Sequence, residues 1–150
     1  MGRAPRVQFP GGTYHVVSRG NLRAPIYLDD DDRHYFLVVL RRICVRHKWT
    51  CHAYCLLTNH FHLIVETPDA TLSRGMQTLN GTYARSFNER YGRQGHLFEN
   101  RFWSGVLLDE RRLREALRYV AFNPVRAGLC ERPAEWRWTG GSAFSAMLGV

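Results

Sequence analysis

The sequence predicts an α+β fold of the split βαβ kind, with a central antiparallel sheet, helices on one face and a further C-terminal helix. Three observations predict it. Apolar runs of strand period and apolar stripes of helix period alternate in the order strand, helix, strand, strand, helix, strand, helix. The stretches between them are short and rich in turn-forming residues. Neither internal repeats nor low-complexity tracts interrupt the order, so residues 1–150 are read as one unit, long enough to bury a core.

The first strand is "GTYHVVSRGN", ending at Gly20. "LDDDDRHYFLVVLRRICVRHKW" follows as a helix: its acidic start suits the positive end of a helix dipole, and Phe36, Val39, Leu40, Ile43 and His47 recur at helical spacing. Arg41, Arg42 and Arg46 lie off that stripe as a solvated face. "CHAYCLL" and "HFHLIVE" are two strands joined through Thr58 and Asn59. "ATLSRGMQTLNGTYARSFNERYG" carries Leu72, Met76, Leu79, Tyr83 and Phe87 at helical spacing and ends at Gly92, although Gly75 and Gly81 each cost about 1 kcal/mol inside a helix. "RFWSGVLL" is the fourth strand. "DERRLREALRYVAFNP" is the last helix, opened by Asp109 and stopped by Pro124. In this ferredoxin-like arrangement the second face of the sheet is left for a ligand.

Composition narrows the partner. With 45% apolar and 13% aromatic residues the chain folds rather than staying disordered. Its net charge of +8 and pI near 9.9 point to a polyanion, either nucleic acid or an acidic membrane surface. Lys48 is the only lysine, so nearly all the positive charge is guanidinium, which suits phosphate recognition and would also follow from GC-rich coding. No apolar run approaches a membrane span and no signal peptide is visible, which makes a cytoplasmic protein the expectation. Cys51 and Cys55, on one strand, would stand ~13 Å apart at ~3.3 Å per residue, too far to share a zinc ion with His60 and His62. They are read as small buried residues rather than disulfides or ligands.

The chemistry-bearing pattern is "NHFHLIVE". Side chains alternate along a strand, so His60 and His62 share one face while Phe61 and Leu63 take the other. Two imidazoles side by side can offer two nitrogens to one ion, but a third ligand must come from elsewhere. On the last helix Leu113, Ala116, Leu117 and Val120 form the apolar stripe, while Tyr119 and Asn123 fall one turn apart on a polar flank with Arg112. They are a candidate nucleophile beside a candidate oxygen ligand.

Four blocks, "YHVVSRGN", "AYCLLTNHFHLIVE", "GHLFENRF" and "YVAFNPVRAGL", resemble in their order the HUH single-tyrosine (IS200-like) transposase family, and especially its REP-associated tyrosine transposase branch. The resemblance runs from about Tyr14 to about Ala143. It implies that His60 and His62 bind a divalent metal, Mg²⁺ or Mn²⁺, that Tyr119 is the nucleophile, and that Asn123 completes the metal site. It further implies cleavage and rejoining of single-stranded or hairpin DNA through a covalent 5′-phosphotyrosine with release of a 3′-OH. Relatives include dimers and monomers, so a homodimer is one expectation and a monomer the other.

Arginines supply a candidate DNA surface. Arg3 and Arg6 form a basic arm, Arg19 and Asn21 end the first strand, and Arg85, Arg93, Arg101 and Arg126 flank the site in sequence. Singly each is an ordinary solvated side chain; together they can make the phosphate contacts that dominate affinity. Trp136 and Trp138 could stack on bases, with packing of the tail against the core the favoured alternative. Two other functions stay open: a metal-dependent phosphodiesterase in which water attacks, and a non-catalytic nucleic-acid binder on a sheet platform.

Overall fold

The computed structural model describes residues 6–147, with side chains through residue 144; Arg3 lies outside the described residues. Its strands are β1 (Gly12–Arg19), β2 (Thr50–Leu56), β3 (His60–Thr67), β4 (Trp103–Val106) and β5 (Thr139–Gly140). Its helices are α1 (Asp30–His47), α2 (Leu72–Tyr91), α3 (Glu110–Arg126) and α4 (Ser142–Met147). The sheet order is β4-β1-β3-β2-β5, antiparallel throughout. The first four strands thus follow the ferredoxin-like plan that the element order predicts.

Local chemistry sets the helix ends. The Asp29 carboxylate accepts the Asp32 N–H at 2.9 Å ahead of three acidic residues in the first turn of α1. Lys48, in the left-handed region, closes that helix, and Gly92 at φ 61° closes α2. The Asp109 carboxylate caps α3 by accepting the Arg112 N–H at 2.8 Å.

Strand alternation divides the sheet into two working faces. Tyr14, Val16, Phe61, Leu63 and Val65 pack against α1 and α2, with Phe36, Leu40, Met76, Leu79 and Tyr83. Ala53, Cys55 and Ile64 face the other way, against Ala116, Leu117, Val120 and Ala121 of α3 and Phe144 of α4. The second face is therefore not free. Helices α3 and α4 cover its β2 half, and a cleft remains between α3 and the β1–β4 half.

The structure departs from the sequence reading in four further places. First, α3 runs through Pro124 to Arg126. A proline so close to a helix end forfeits a single ladder bond, and the turn closes instead at Gly128 (φ 76°), with the Leu129 N–H donating to the Pro124 carbonyl at 2.9 Å and the Gly128 N–H to Val125 at 3.0 Å. Second, β4 is four residues long, shorter than the run that predicts it. Third, β5 and α4 add an edge pairing on β2 that too few apolar residues announce. Fourth, a bulge between Cys51 and Ala53 shifts the register of β2, so that Cys51 packs with the α1–α2 core and Cys55 with the α3 core. The two thiols face opposite layers, and burial pushes both up to about 12.

Gly75 is explained by contact. A Cβ there would meet the Trp49 indole at 2.3 Å, so the glycine lets α2 approach that ring, whereas Gly81 faces open space. No helix among the described residues is long and apolar enough to cross a membrane.

Candidate active site

Antiparallel pairing of β1 with β3 sets Val17 opposite His62 and Arg19 opposite His60. His60 and His62 share the face that turns from the α1–α2 core, their ring centroids 5.1 Å apart. His60 is half-buried, and its Nδ1 lies 2.8 Å from Asn59 Oδ1. Because an amide oxygen only accepts, Nδ1 carries the proton and the Nε2 lone pair is left available. The Asn59 amide in turn donates to the Arg23 carbonyl at 3.2 Å.

His62 is buried, its Nδ1 2.9 Å from Nε2 of His15, a buried neighbour on β1. The two rings stack with centroids 5.2 Å apart. On its far side, Nε2 of His62 is buried with no hydrogen-bond partner among the described residues. Burial lowers His15 to about 4 and pulls His62 down further, helped by the neighbouring His15 and His60. His60 is also lowered, first by burial and then by Arg19, against an opposing effect of the Asn123 side chain, whose amide oxygen favours the protonated ring. All three imidazoles are neutral near pH 7.

Helix α3 lies across these histidines. Val120 and Leu117 anchor it in the core, which turns Tyr119 towards the strands at 49% exposure. The Tyr119 ring stands edge-on to both His62 and His15, with centroids 5.9 and 6.0 Å away. One turn on, Asn123 is buried with its side chain beside His60. The extension of α3 past Pro124 brings Arg126 into the same cluster: its guanidinium lies 4.1 Å from the Tyr119 ring centroid and donates to the Tyr119 carbonyl. Among the described residues no three His, Cys, Asp or Glu side chains converge as a metal site. The donor set present is two imidazoles with an amide oxygen beside them. The unpartnered Nε2 of His62 is the observation that a metal would fit.

A cleft of about 760 Å³ opens beside Tyr119, bounded by β1, β4 and α3. Of the arginines singled out from sequence, Arg19 and Arg101 line this cleft and Arg126 borders it. Arg85 is exposed on α2, in the layer behind the sheet, and does not reach it. Arg93 is held at the end of α2, donating to Asn88 Oδ1 at 2.6 Å. Asn21 is exposed at the end of β1, where its N–H ties to the Leu97 carbonyl at 2.8 Å. Arg6 is directed to Ser104 and the Phe102 carbonyl beside β4, with its guanidinium 3.5 Å over the Phe102 ring. Trp138 is buried, and the Trp136 indole donates to the Leu56 carbonyl at 3.0 Å, so both tryptophans pack the tail against the core.

Sequence reasoning passed over His15 and Trp103. His15 stands in the block "YHVVSRGN", but alternation alone does not say which strand lies beside β3.

Comparison with known proteins places the chain. The profile of the family described as Transposase IS200 like matches residues 9–122. The chain belongs to this transposase family, whose members cleave DNA. It is similar to a Haemophilus influenzae protein assigned as a REP-associated tyrosine transposase, 26% identical over 133 residues, covering 76% of this chain and 75% of the relative. Its fold matches a solved structure of a REP-associated tyrosine transposase bound to a REP hairpin, with a TM-score of 0.77 at 18% identity over 93% of this chain and 82% of that one. A crystal structure of a Deinococcus radiodurans protein assigned as a transposase matches with a TM-score of 0.54 at 17% identity, over 80% and 94% of the two chains.

Proposed function

We propose that this transposase cleaves and rejoins single-stranded DNA beside a hairpin, with Tyr119 as the nucleophile and a divalent ion, Mg²⁺ or Mn²⁺, held by His60, His62 and Asn123. The observation that carries the reading is the placement of a half-exposed tyrosine edge-on to a buried, neutral histidine pair, at the mouth of an arginine-lined cleft. A bound divalent ion would polarise a nonbridging oxygen of the scissile phosphate.

The chain's own groups supply the rest. Arg126 packs on the Tyr119 ring and bonds its carbonyl, which limits where the hydroxyl can swing. Arg19 and Arg101, both lining the cleft, offer cations to phosphates near the reacting one. The Tyr119 oxygen forms a bond to phosphorus, the bond from phosphorus to the 3′ oxygen breaks, the phenol proton passes to solvent, and the leaving oxygen becomes a 3′-OH. One phosphodiester is exchanged for another, so the bond energy is kept for rejoining and no nucleotide cofactor is needed. Tyr119 stands against His62 within one chain, which supports a site formed without a second copy. Likeness to a hairpin-bound relative supports a hairpin as the flanking structure.

The test is a covalent adduct. Protein, Mn²⁺ and labelled hairpin DNA with a single-stranded extension should give a species stable on a denaturing gel, absent in Tyr119→Phe. Nicking that survives in Tyr119→Phe without an adduct would establish the water-attack alternative instead.

A further inference from the structure

Trp103 is the exposed tryptophan of this fold. Trp49 and Trp138 are buried, and Trp136 is half-buried with its indole N–H bonded to Leu56. Trp103 is 56% exposed and lines the same cleft as Tyr119. Its position is built rather than incidental. Trp103 and Gly105 lie on one face of β4, paired with Val17 and His15 of β1. The indole lies back along the strand over Gly105, where a Cβ would meet its ring at 2.9 Å. The ring edge of His15 braces it at 86°, with centroids 5.3 Å apart. Gly105 and His15 therefore hold the indole, while more than half of the residue stays open to the cleft.

The charges around it fit an anionic strand. Arg19, Arg101 and Arg112 line the cleft with the carboxylates Glu99 and Glu115. Neither Arg19 nor Arg101 makes an ion pair among the described residues, and Arg112 sits 3.9 Å from the Asp109 carboxylate at the exposed start of α3. Glu115 is engaged with Arg111 at 3.8 Å. Unpaired cations lining the same cleft as a flat, exposed aromatic are the arrangement that holds a strand's phosphates while one of its bases stacks.

We propose that Trp103, seated over Gly105, is a base-stacking subsite for an unpaired nucleotide of the DNA strand next to the phosphate that Tyr119 attacks. The inference rests on the reading of this cleft as a single-strand DNA site. It adds the group that selects unstacked over paired DNA, because a base inside a duplex cannot present its face to the indole. Stacking is tolerant of base identity, so the subsite favours single-strandedness over sequence.

The experiment uses the full chain and a DNA hairpin with a randomised single-stranded 5′ extension, carrying 2-aminopurine or an abasic residue at each extension position in turn. Wild type should quench 2-aminopurine at one position. Trp103→Ala should remove that quenching and weaken binding about 5- to 150-fold, the range for removing one base stack. Trp103→Phe should retain most of the affinity, and Gly105→Ala, which displaces the ring, should fall between them. An abasic residue at the quenched position should make wild type and Trp103→Ala equal in affinity. Thermal melts of each variant separate loss of stacking from loss of fold. Trp103→Ala that binds and quenches like wild type overturns the inference, as does an affinity loss that persists at every abasic position. The underlying reading fails separately: stacking without any covalent adduct in wild type would leave the subsite standing and remove the cleavage chemistry.

Discussion

Nε2 of His15 lies 2.9 Å from Nδ1 of His62, and both rings are buried. The bond engages one nitrogen of His62 and leaves the other, Nε2, buried and unpartnered in a ring that stands edge-on to Tyr119. For Nε2 to ligate a metal, the ring proton must sit on Nδ1 and be donated to His15. His15 is then a positioning residue. His15→Phe, which keeps a ring but no acceptor, should weaken Mn²⁺ binding roughly 10- to 100-fold, while His15→Gln, whose amide oxygen can accept, should recover much of it. Calorimetry reads the affinity, and ¹⁵N chemical shifts of His62 read the tautomer in the metal-free protein. Unchanged affinity and tautomer in His15→Phe would remove the role.

Replacing either proposed histidine ligand should stop cleavage but not DNA binding. His60→Ala and His62→Ala should retain most of the affinity, because arginine–phosphate contacts dominate it. Filter binding alongside a nicking assay checks the split. Cleavage by the double variant in chelator would remove the metal from the mechanism.

Acid should destabilise the fold before it reaches any carboxylate. His15 is held at about 4 against an ordinary 6.5, with His60 and His62 also lowered. The unfolded chain therefore binds these protons first as pH falls. The associated stability is full above about pH 6.5 and is lost as pH drops towards 4, on the order of 2 kcal/mol from His15 alone by pH 5. Urea unfolding from pH 8 to pH 4 should show this slope, reduced in His15→Phe.

The two interior glycines of α2 should respond with opposite signs. Gly81 faces open space, so Gly81→Ala should stabilise by roughly 0.5–1 kcal/mol through helix propensity. Gly75→Ala drives a methyl into the Trp49 indole and should cost about 1–3 kcal/mol. Denaturant midpoints of the two variants give the comparison.

The arginines should separate by layer. Arg19→Ala and Arg101→Ala, in the cleft, should each weaken single-strand binding and reduce the logarithmic salt slope by roughly 0.7 for each phosphate left without its cation. Arg85→Ala, behind the sheet, should change neither. Affinity titrations at several salt concentrations distinguish them, and an Arg85 effect equal to that of Arg19 would put the DNA on the α1–α2 side of the sheet instead.

What was legible in the sequence was local. Alternation along "NHFHLIVE" determines that His60 and His62 share a face, and the 3.6-residue period of α3 determines that Tyr119 and Asn123 leave the core stripe together, because both are properties of one element's own backbone. The helix ends at Gly92 and Asp109 are local in the same sense. Contacts between elements distant in the chain were decided only by tertiary structure. His15 meets His62 across 47 residues through the β1–β3 register, which no periodicity in either strand specifies. The choice of sheet face for α3 separates Arg19 and Arg101, at the tyrosine, from Arg85 behind it, although all three are arginines of similar sequence context. Packing likewise assigned the tryptophans: Trp136 and Trp138 fill the tail's contact with β2, while Trp103 stays exposed because the short strand β4 forms the sheet edge and no helix covers it. Sequence patterns carry which way a side chain points from its own element; what it then meets depends on the free energy of packing whole elements together.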